Sequence, residues 1–407
     1  MKHDADILIV GGGLNGPALA LALAQGGLRV TVIDAAPETA GTPDFDGRAY
    51  SLAVASRRLL GAIGIWPGLV EAAQPIEQIK ASDGRAGEGA APWFLHFDHD
   101  EIEEGPMGHM VEDRHLRAAF RDAMAAAPDI THRPGTRVVA QDITAAGARV
   151  TLQTGAQVSA RLVVGCDGRD SATAARAGIA RTGWRYGQTG LVCAVGHTKP
   201  HNAIAHQFFM PAGPLAILPL TGRRSSIVWT ETDANAAAIH ALDDDAYLAA
   251  LHPRFGDFLG PLRLIGRRAI FPLSLSLAQR YVAPRLALLG DAAHGVHPVA
   301  GQGLNLGLRD VGALAEVLIE AARRGEDIAD LAVLERYQRW RRFDTTTLAL
   351  GMDTVNRLFS NDNPLLRLGR DLGMGLVSSA PGLRRRFIRE AAGLTGTLPK
   401  LLQGRPI

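Results

Sequence analysis

The residues best placed for chemistry in this 407-residue chain stand in one run, "LLGDAAHGVHPVAGQGLNLGLRD" (288–310). It holds five glycines, two histidines, two aspartates and one proline. An apolar stretch, "YVAPRLALLG", leads into it, and a helix-like one, "NLGLRDVGALAEVLIEAARR", leads out. So many bare backbone positions between a strand and a helix suit a large ligand lying against the main chain. A tight turn with helix caps would use some of them too. A second glycine run, Gly11-x-Gly13-x-x-Gly16, follows the apolar residues Ile7 to Val10. There the first glycine permits a tight turn, the second admits a pyrophosphate close to the backbone, and the third lets helix and strand pack. The helix N-terminus then faces the phosphates. Asp34 lies 18 residues beyond Gly16 and ends the next strand, where a carboxylate accepts from ribose hydroxyls. Asp167, in "GCDGRDS", follows another apolar run. Three strand ends with small or acidic residues can converge on one extended dinucleotide, because such ligands gather at the carboxyl ends of parallel strands. His294 and His297 have no third ligand nearby and read as capping or packing groups, so no metal is expected. No Ser–His–Asp arrangement is visible.

These residues need elements to hold them. "PALALALAQ" reads as a helix and "RVTVID" as a strand, which closes a βαβ unit in about 30 residues. Residues 51–66, "SLAVASRRLLGAIGIW", read as a helix, and 67–110 as irregular structure crossing to a second lobe. Leu116, Phe120 and Met124 stand four apart on one face of an amphipathic helix over 111–127. Short strands follow over 148–168. Residues 182–275 alternate strand-like runs with Pro-Gly and Gly-Arg turns, the pattern of an antiparallel meander. A βα passage occupies 286–323, and the chain is helical from about residue 335 onward.

The chain is longer than one hydrophobic core usually supports. The expectation is an α/β protein with a discontinuous doubly wound, Rossmann-like domain (1–75, 111–181 and 276–345). An inserted, mainly antiparallel sheet domain (76–110 and 182–275) and a helical C-terminal region (346–407) complete it. With 43 basic and 41 acidic residues the net charge is +2, too balanced for a nucleic-acid partner. Only Cys166 and Cys193 are present and no signal peptide precedes the first strand, so a reducing, cytoplasmic compartment is expected. No stretch approaches the ~18 apolar residues of a spanning helix.

With its N-terminal GxGxxG, middle DG and later GD motifs, the sequence resembles the flavin-dependent aromatic hydroxylases (group A monooxygenases). Within them it is similar to the ubiquinone-biosynthesis hydroxylases. The stretches that carry this are "GRAYSLAVASRRLLGAIGIW" (47–66), "VEDRHLRAAF" (111–120), "FFMPAGPLAILPL" (208–220) and "LALLGDAAHGVHPVAGQGLNLGLRDVGALAEVL" (286–318). The resemblance covers the chain to about residue 345 and implies a p-hydroxybenzoate hydroxylase-like fold.

The resemblance also implies a bound FAD. Gly11, Gly13 and Gly16 would hold its pyrophosphate, Asp34 its adenosine ribose and Asp291 its ribityl chain. Arg48, Arg114 and Asp167 match further FAD contacts. Pro298, Gly301, Gln302 and Gly303 would wrap the isoalloxazine ring, with Pro298, Gly301 and Gly303 at the reactive face. A helix starting near Asn305 would turn its positive end toward the ring. No acid or base is assigned. His206, Phe208 and Leu218, on the inserted sheet with Phe209, Leu215 and Ile217, would face substrate.

The implied reaction is hydroxylation of a polyprenylated phenol in ubiquinone biosynthesis. It would consume O2 and electrons from NAD(P)H or a protein donor and pass through a C4a-hydroperoxyflavin. The alternatives are a hydroxylase of a small soluble aromatic and a non-catalytic flavin-bound member of a biosynthetic complex. Related sequences carry S-x-x-R after the DG aspartate; here Ala174 holds the arginine position and Arg176 follows two later, so reductant binding is not specified. The C-terminal segment, with Arg370, Arg384, Arg385 and Arg386 among Leu and Met, reads three ways. It could be an ordinary helix face, a peripheral contact with the inner face of the membrane, or a surface for a ubiquinone-biosynthesis complex.

Overall fold

Short apolar stretches such as residues 7–10 and the strand Val30–Ile33 suit a parallel sheet buried on both faces. In the computed structural model, which describes residues 3–37, 45–85, 87, 89–297, 301–360 and 379–407, they form one sheet. Its order is Val282–Ala283, Leu286–Leu288, Gln157–Gly165, Ala5–Val10, Val30–Ile33, Ile130–Arg133. Every neighbouring pair from Leu286–Leu288 to Ile130–Arg133 is parallel. A hairpin of Val138–Thr144 and Gly147–Leu152 is added antiparallel along the first half of Gln157–Gly165. Helices Asn15–Gln25, Asp113–Ala126 and Gln302–Arg323 cover this sheet. Gln302–Arg323 packs so closely on the first helix that a Cβ on Gly26 would stand 2.5 Å from Ile319 Cδ1. Each leucine or isoleucine buried in this layer contributes roughly 1.5–3 kcal/mol.

The second sheet also has eight strands, in the order His294–Gly295, Leu262–Ala278, Arg181–His197, Arg224–Thr232, Leu215–Leu220, Ile204–Phe209, Gln78–Arg85, Gly89–Asp98. Only Ile204–Phe209 with Gln78–Arg85 is parallel. Helices Asp233–His240 and Asp244–Phe255 cover its outer face. A third sheet of Ala49–Ala53, Gly108–Glu112 and Gln74–Ile76 lies between the two. Helix Leu331–Phe359 runs from the first sheet to the second.

Three local expectations change. Residues 51–66 are not one helix: strand Ala49–Ala53 turns into helix Val54–Ala62. Residues 67–110 are not irregular, because they supply the strands Gln74–Ile76, Gln78–Arg85, Gly89–Asp98 and Gly108–Glu112. Apart from the hairpin of Gln78–Arg85 with Gly89–Asp98, their partners lie far away in sequence, so the short, Gly- and Pro-interrupted alternation carries little local signal; Pro75 is accommodated because its strand is an edge. The helix expected near Asn305 begins at Gln302.

Candidate functional site

A cleft of about 390 Å³ opens at the carboxyl ends of Ala5–Val10, Val30–Ile33 and Gln157–Gly165, lined by Gly11, Gly12, Gly13, Asp34, Cys166 and Asp167 among others. Its floor is main chain. Gly11 has φ +114°, and a Cβ there would stand 2.3 Å from the Cys166 carbonyl oxygen. A Cβ on Gly16 would stand 2.0 Å from the Gly11 carbonyl oxygen. One on Gly13 would meet nothing within 4 Å. Two of the three glycines therefore close the turn, and the middle one leaves open space for a ligand. Helix Asn15–Gln25 starts here with no side-chain cap and no acid in its first turn. Its orphan N–H donors are left for an anion. Asp34 fits the same ligand: Oδ1 accepts from Ala36 N at 3.1 Å, and Oδ2 would lie 2.3 Å from a Cβ on Gly12, against the loop.

Asp167 lines the cleft, but its carboxylate is taken by its own turn. Ser171 Oγ donates to it at 2.5 Å, and Thr173 N and Oγ1 each donate at 2.9 Å. What it offers a ligand is the shape of the wall. Asp291 sits at the start of the long glycine run with its side chain 41% exposed and Arg169 at 3.6 Å. Its carbonyl accepts from Arg181 at 3.1 Å.

The second glycine run meets the third sheet. Gly301, at φ +63°, precedes helix Gln302–Arg323, which again has neither a side-chain cap nor an acid in its first turn. A Cβ on Gly301 would stand 3.1 Å from Ser51 Cβ, whereas one on Gly303 would meet nothing within 4 Å. Asn305 is buried and its amide is fully engaged by protein. It donates to the carbonyls of Ser51 and Gly301, at 2.9 and 3.1 Å, and accepts from Ala53 N and Ser56 Oγ, at 2.9 and 2.7 Å. It therefore fixes the helix start rather than reaching outward. Gln302 donates toward the Ala391 carbonyl at 3.4 Å. Pro298 lies outside the described residues.

Arg48 is clamped by Asp46 at 2.7 Å and Asp113 at 2.9 Å. Arg114 pairs with buried Glu112 at 2.8 Å and lies 5.8 Å from the centre of the Phe45 ring. Arg224, from the second sheet, joins Glu112 at 2.8 Å, which ties that sheet to the strand carrying Glu112.

The two histidines of the long run are not alike. His294 Nε2 donates to Asp310 Oδ2 at 2.5 Å with both side chains fully buried. Asp310 also accepts from Arg341 Nε at 2.8 Å and from Gly290 N at 3.1 Å. Burial opposes a charge on Asp310, but His294 and Arg341 outweigh it and hold the carboxyl below its usual range. Sequence reasoning missed Asp310 because its three partners lie 16 to 31 residues away in the chain. His297 packs edge-on against Tyr186, with ring centres 5.1 Å apart, and burial pushes its pKa down to about 4.

The inserted sheet corrects the substrate-facing set. His206 pairs across strands with Ile217, and Phe208 with Leu215. Both partners pack beneath helix Asp244–Phe255 with Tyr247, Leu251 and Phe255. Directly opposed residues share a face, so His206, Phe208, Leu215 and Ile217 lie on the outer side; the His206 ring sits 4.7 Å from that of Phe258. Leu218 and Phe209 point inward, Leu218 toward Ile76 and Met110 and Phe209 against Phe359 at 4.2 Å. On the outer face Leu191, Cys193, Ile227 and Trp229 are at most 1% exposed. Their inward neighbours Val192, Ala216 and Val228 are only half-buried. The inner face is therefore apolar and less closely covered than the outer one. The lower rows of that face pack on Ala49, and alternation puts Ser51, the neighbour of Gly301, on the same side of strand Ala49–Ala53. The inner face thus lies on the side of that strand that carries Ser51, the neighbour of Gly301.

Comparison with known proteins agrees with this geometry. A family model described as an FAD binding domain matches residues 4–347. The ubiquinone hydroxylase UbiL of Rhodospirillum rubrum is 45% identical over 407 residues, covering 99% of this chain and 94% of its own. The 3-demethoxyubiquinol 3-hydroxylase of Escherichia coli is 36% identical over 97% of this chain and 100% of its own. Among solved structures, p-nitrophenol 4-monooxygenase PnpA of Pseudomonas putida DLL-E4 superposes with a TM-score of 0.81 at 19% identity, covering 97% of this chain and 99% of its own. That last likeness speaks for the fold alone. An uncapped pair of helix starts, an open Gly13 and an apolar sheet face on the Ser51 side fit a flavin dinucleotide, and the chain belongs to the family of FAD-dependent monooxygenases that includes the ubiquinone hydroxylases.

Proposed function

We propose that this protein hydroxylates the aromatic ring of a polyprenylated phenol in ubiquinone biosynthesis. The observation that carries this is the half-buried apolar row on the sheet's inner face, on the side that carries Ser51, the neighbour of Gly301. The relatives' names, which concern ubiquinone and demethoxyubiquinol, supply the substrate class. FAD supplies the redox chemistry and, with O2, the oxygen atom; NAD(P)H or a protein donor supplies the electrons.

The chain's own residues bind, orient and exclude water. Gly11, Gly13, Gly16 and the first helix start would hold the pyrophosphate, and Asp34 the adenosine ribose. Asp291 would take the ribityl hydroxyls. Gly301 and Gly303 would leave room for the flat ring, with the helix start at Gln302 favouring negative charge beside it. Arg48 and Arg114 would line the flavin side of the third sheet. The inner face of the second sheet would cover the ring and keep water from it.

A prenylated phenol resides in lipid, and part of the C-terminal region suits a membrane surface. Phe387 is 50% exposed, and the exposed Arg385 and Arg386 lie on the same helix. No helix among the described residues is long and apolar enough to cross a membrane, so the contact would be peripheral. The test is to supply purified, flavin-loaded protein with reductant, O2 and a prenylated phenol in micelles. Mass spectrometry should show a product heavier by one oxygen atom; reductant consumption unaffected by the phenol, with no such product, would refute the proposal.

A further inference from the structure

The inner face of the second sheet carries one transverse row of directly opposed residues. Ala81 pairs with Gln207, Gln207 with Ala216, Ala216 with Val228, Val228 with Val192, and Val192 with Ala269. Five of the six are small and apolar. The exception is Gln207, flanked on its strand by two anchored residues. Ala205 packs with Ile76 and Met110 of the third sheet, and Phe209 packs on Phe359. Gln207 between them is half-buried, and no hydrogen bond, ion pair or ring contact ties its side chain to any described residue. The strand is thus fastened to the rest of the molecule on either side of an amide that the protein itself does not use.

We infer that Gln207 is the specificity-determining residue that hydrogen-bonds an oxygen substituent of the substrate's aromatic ring, over a floor formed by Ala81, Ala216, Val228, Val192 and Ala269. The primary amide has two donors and an acceptor, so it serves a hydroxyl, a methoxyl or a quinone carbonyl. The small residues beside it leave room for a flat ring. An otherwise apolar pocket with one convergent polar group fixes the orientation of a ligand that hydrophobic contact alone would let rotate. This rests on the proposed phenol hydroxylation, and it names the group by which that site tells one ring face or substituent pattern from another.

The experiment compares flavin-loaded wild type with Gln207→Leu, Ala216→Leu and the outward-facing His206→Leu, each given reductant, O2 and a prenylated phenol in micelles. Gln207→Leu removes no bond within the protein, so FAD content and melting temperature should stay at wild-type values. Its KM should rise about tenfold, the worth of one buried hydrogen bond, and hydroxylated product per reductant consumed should fall. Ala216→Leu, which fills the floor beside the amide but keeps its donors and acceptor, should raise KM with FAD content unchanged. His206→Leu should alter neither KM nor coupling. Unchanged KM and coupling in Gln207→Leu, beside an active wild type, would overturn the assignment while leaving the phenol reaction standing. A wild type that gives no hydroxylated product would overturn both.

Discussion

The nucleotide cleft and the inner face of the second sheet are built by opposite means. In the cleft the surface offered to a ligand is backbone, and specificity comes from side chains that are missing at Gly11, Gly13 and Gly16. On the sheet the surface is side chain, and specificity comes from which of two neighbouring residues points inward. The first surface tolerates almost no added volume; the second tolerates volume but not a shift of register.

The largest effect should come from breaking the cleft at its tightest point. In Gly16→Val a Cβ would stand 2.0 Å from the Gly11 carbonyl, so the first strand and helix cannot keep their contact. The protein should be recovered misfolded and colourless, as judged by visible absorbance and circular dichroism. Gly13→Ala sharpens the contrast, because nothing lies within 4 Å of the new methyl group. It should fold normally and yet bind FAD at least tenfold more weakly, a loss of about 1.4 kcal/mol or more. Equal FAD affinity in Gly13→Ala would show that the open space serves no ligand.

The buried Asp310 is the next largest. It joins the backbone of the GD motif, His294 and Arg341 in a site without solvent. Asp310→Asn leaves a buried guanidinium short of its counter-charge, which costs about 3–5 kcal/mol, read as a shifted urea midpoint at pH 7. The pH dependence has a definite sign. The folded carboxyl titrates below its unfolded value, so its contribution is present above about pH 4 and is lost as pH falls through the folded pKa. The variant should therefore lack part of the wild type's acid-induced loss of stability below that point.

Asp34→Ala should be milder. The fold keeps its strand, losing the bond from Ala36 N to Asp34 Oδ1 together with one acceptor for the ribose. We expect about tenfold weaker FAD binding, near 1.4 kcal/mol, by flavin fluorescence titration.

Much of the cleft was legible in the sequence because its signals are local. A strand, three glycines and a terminal acid fall within residues 5–34, and no distant partner is needed to interpret them. The chemistry of Asp167 and Asn305 was less legible. Their motifs mark the right place, yet their side chains are engaged by Ser171, Thr173, Ser51 and Ala53. A motif gives position but not which atoms remain free. The third sheet and the placing of Gln78–Arg85 were hidden because their partners lie at 49–53, 108–112 and 204–209. Asp310 was hidden for the same reason.

The second sheet shows the limit most clearly, and it supplies the smallest expected effect. "AHQFFMPAGPLAILPL" plainly alternates, but alternation alone does not say which phase faces inward. The deciding fact is the helix Asp244–Phe255, which covers Leu215 and Ile217 and with them His206 and Phe208. If His206 lies on that outer face, His206→Leu should leave FAD content, KM and the urea midpoint at pH 8 unchanged. Burial pushes the His206 pKa down to about 4, below the ordinary value near 6.5. Between these values the unfolded chain binds the proton and the folded one does not, so wild-type stability falls as pH drops from 6.5 toward 4. Leucine has no such proton to bind, and at pH 5 the variant should gain about 1–2 kcal/mol over wild type. A raised KM at pH 8 in His206→Leu would place this histidine on the substrate side and reverse the assignment of the two faces.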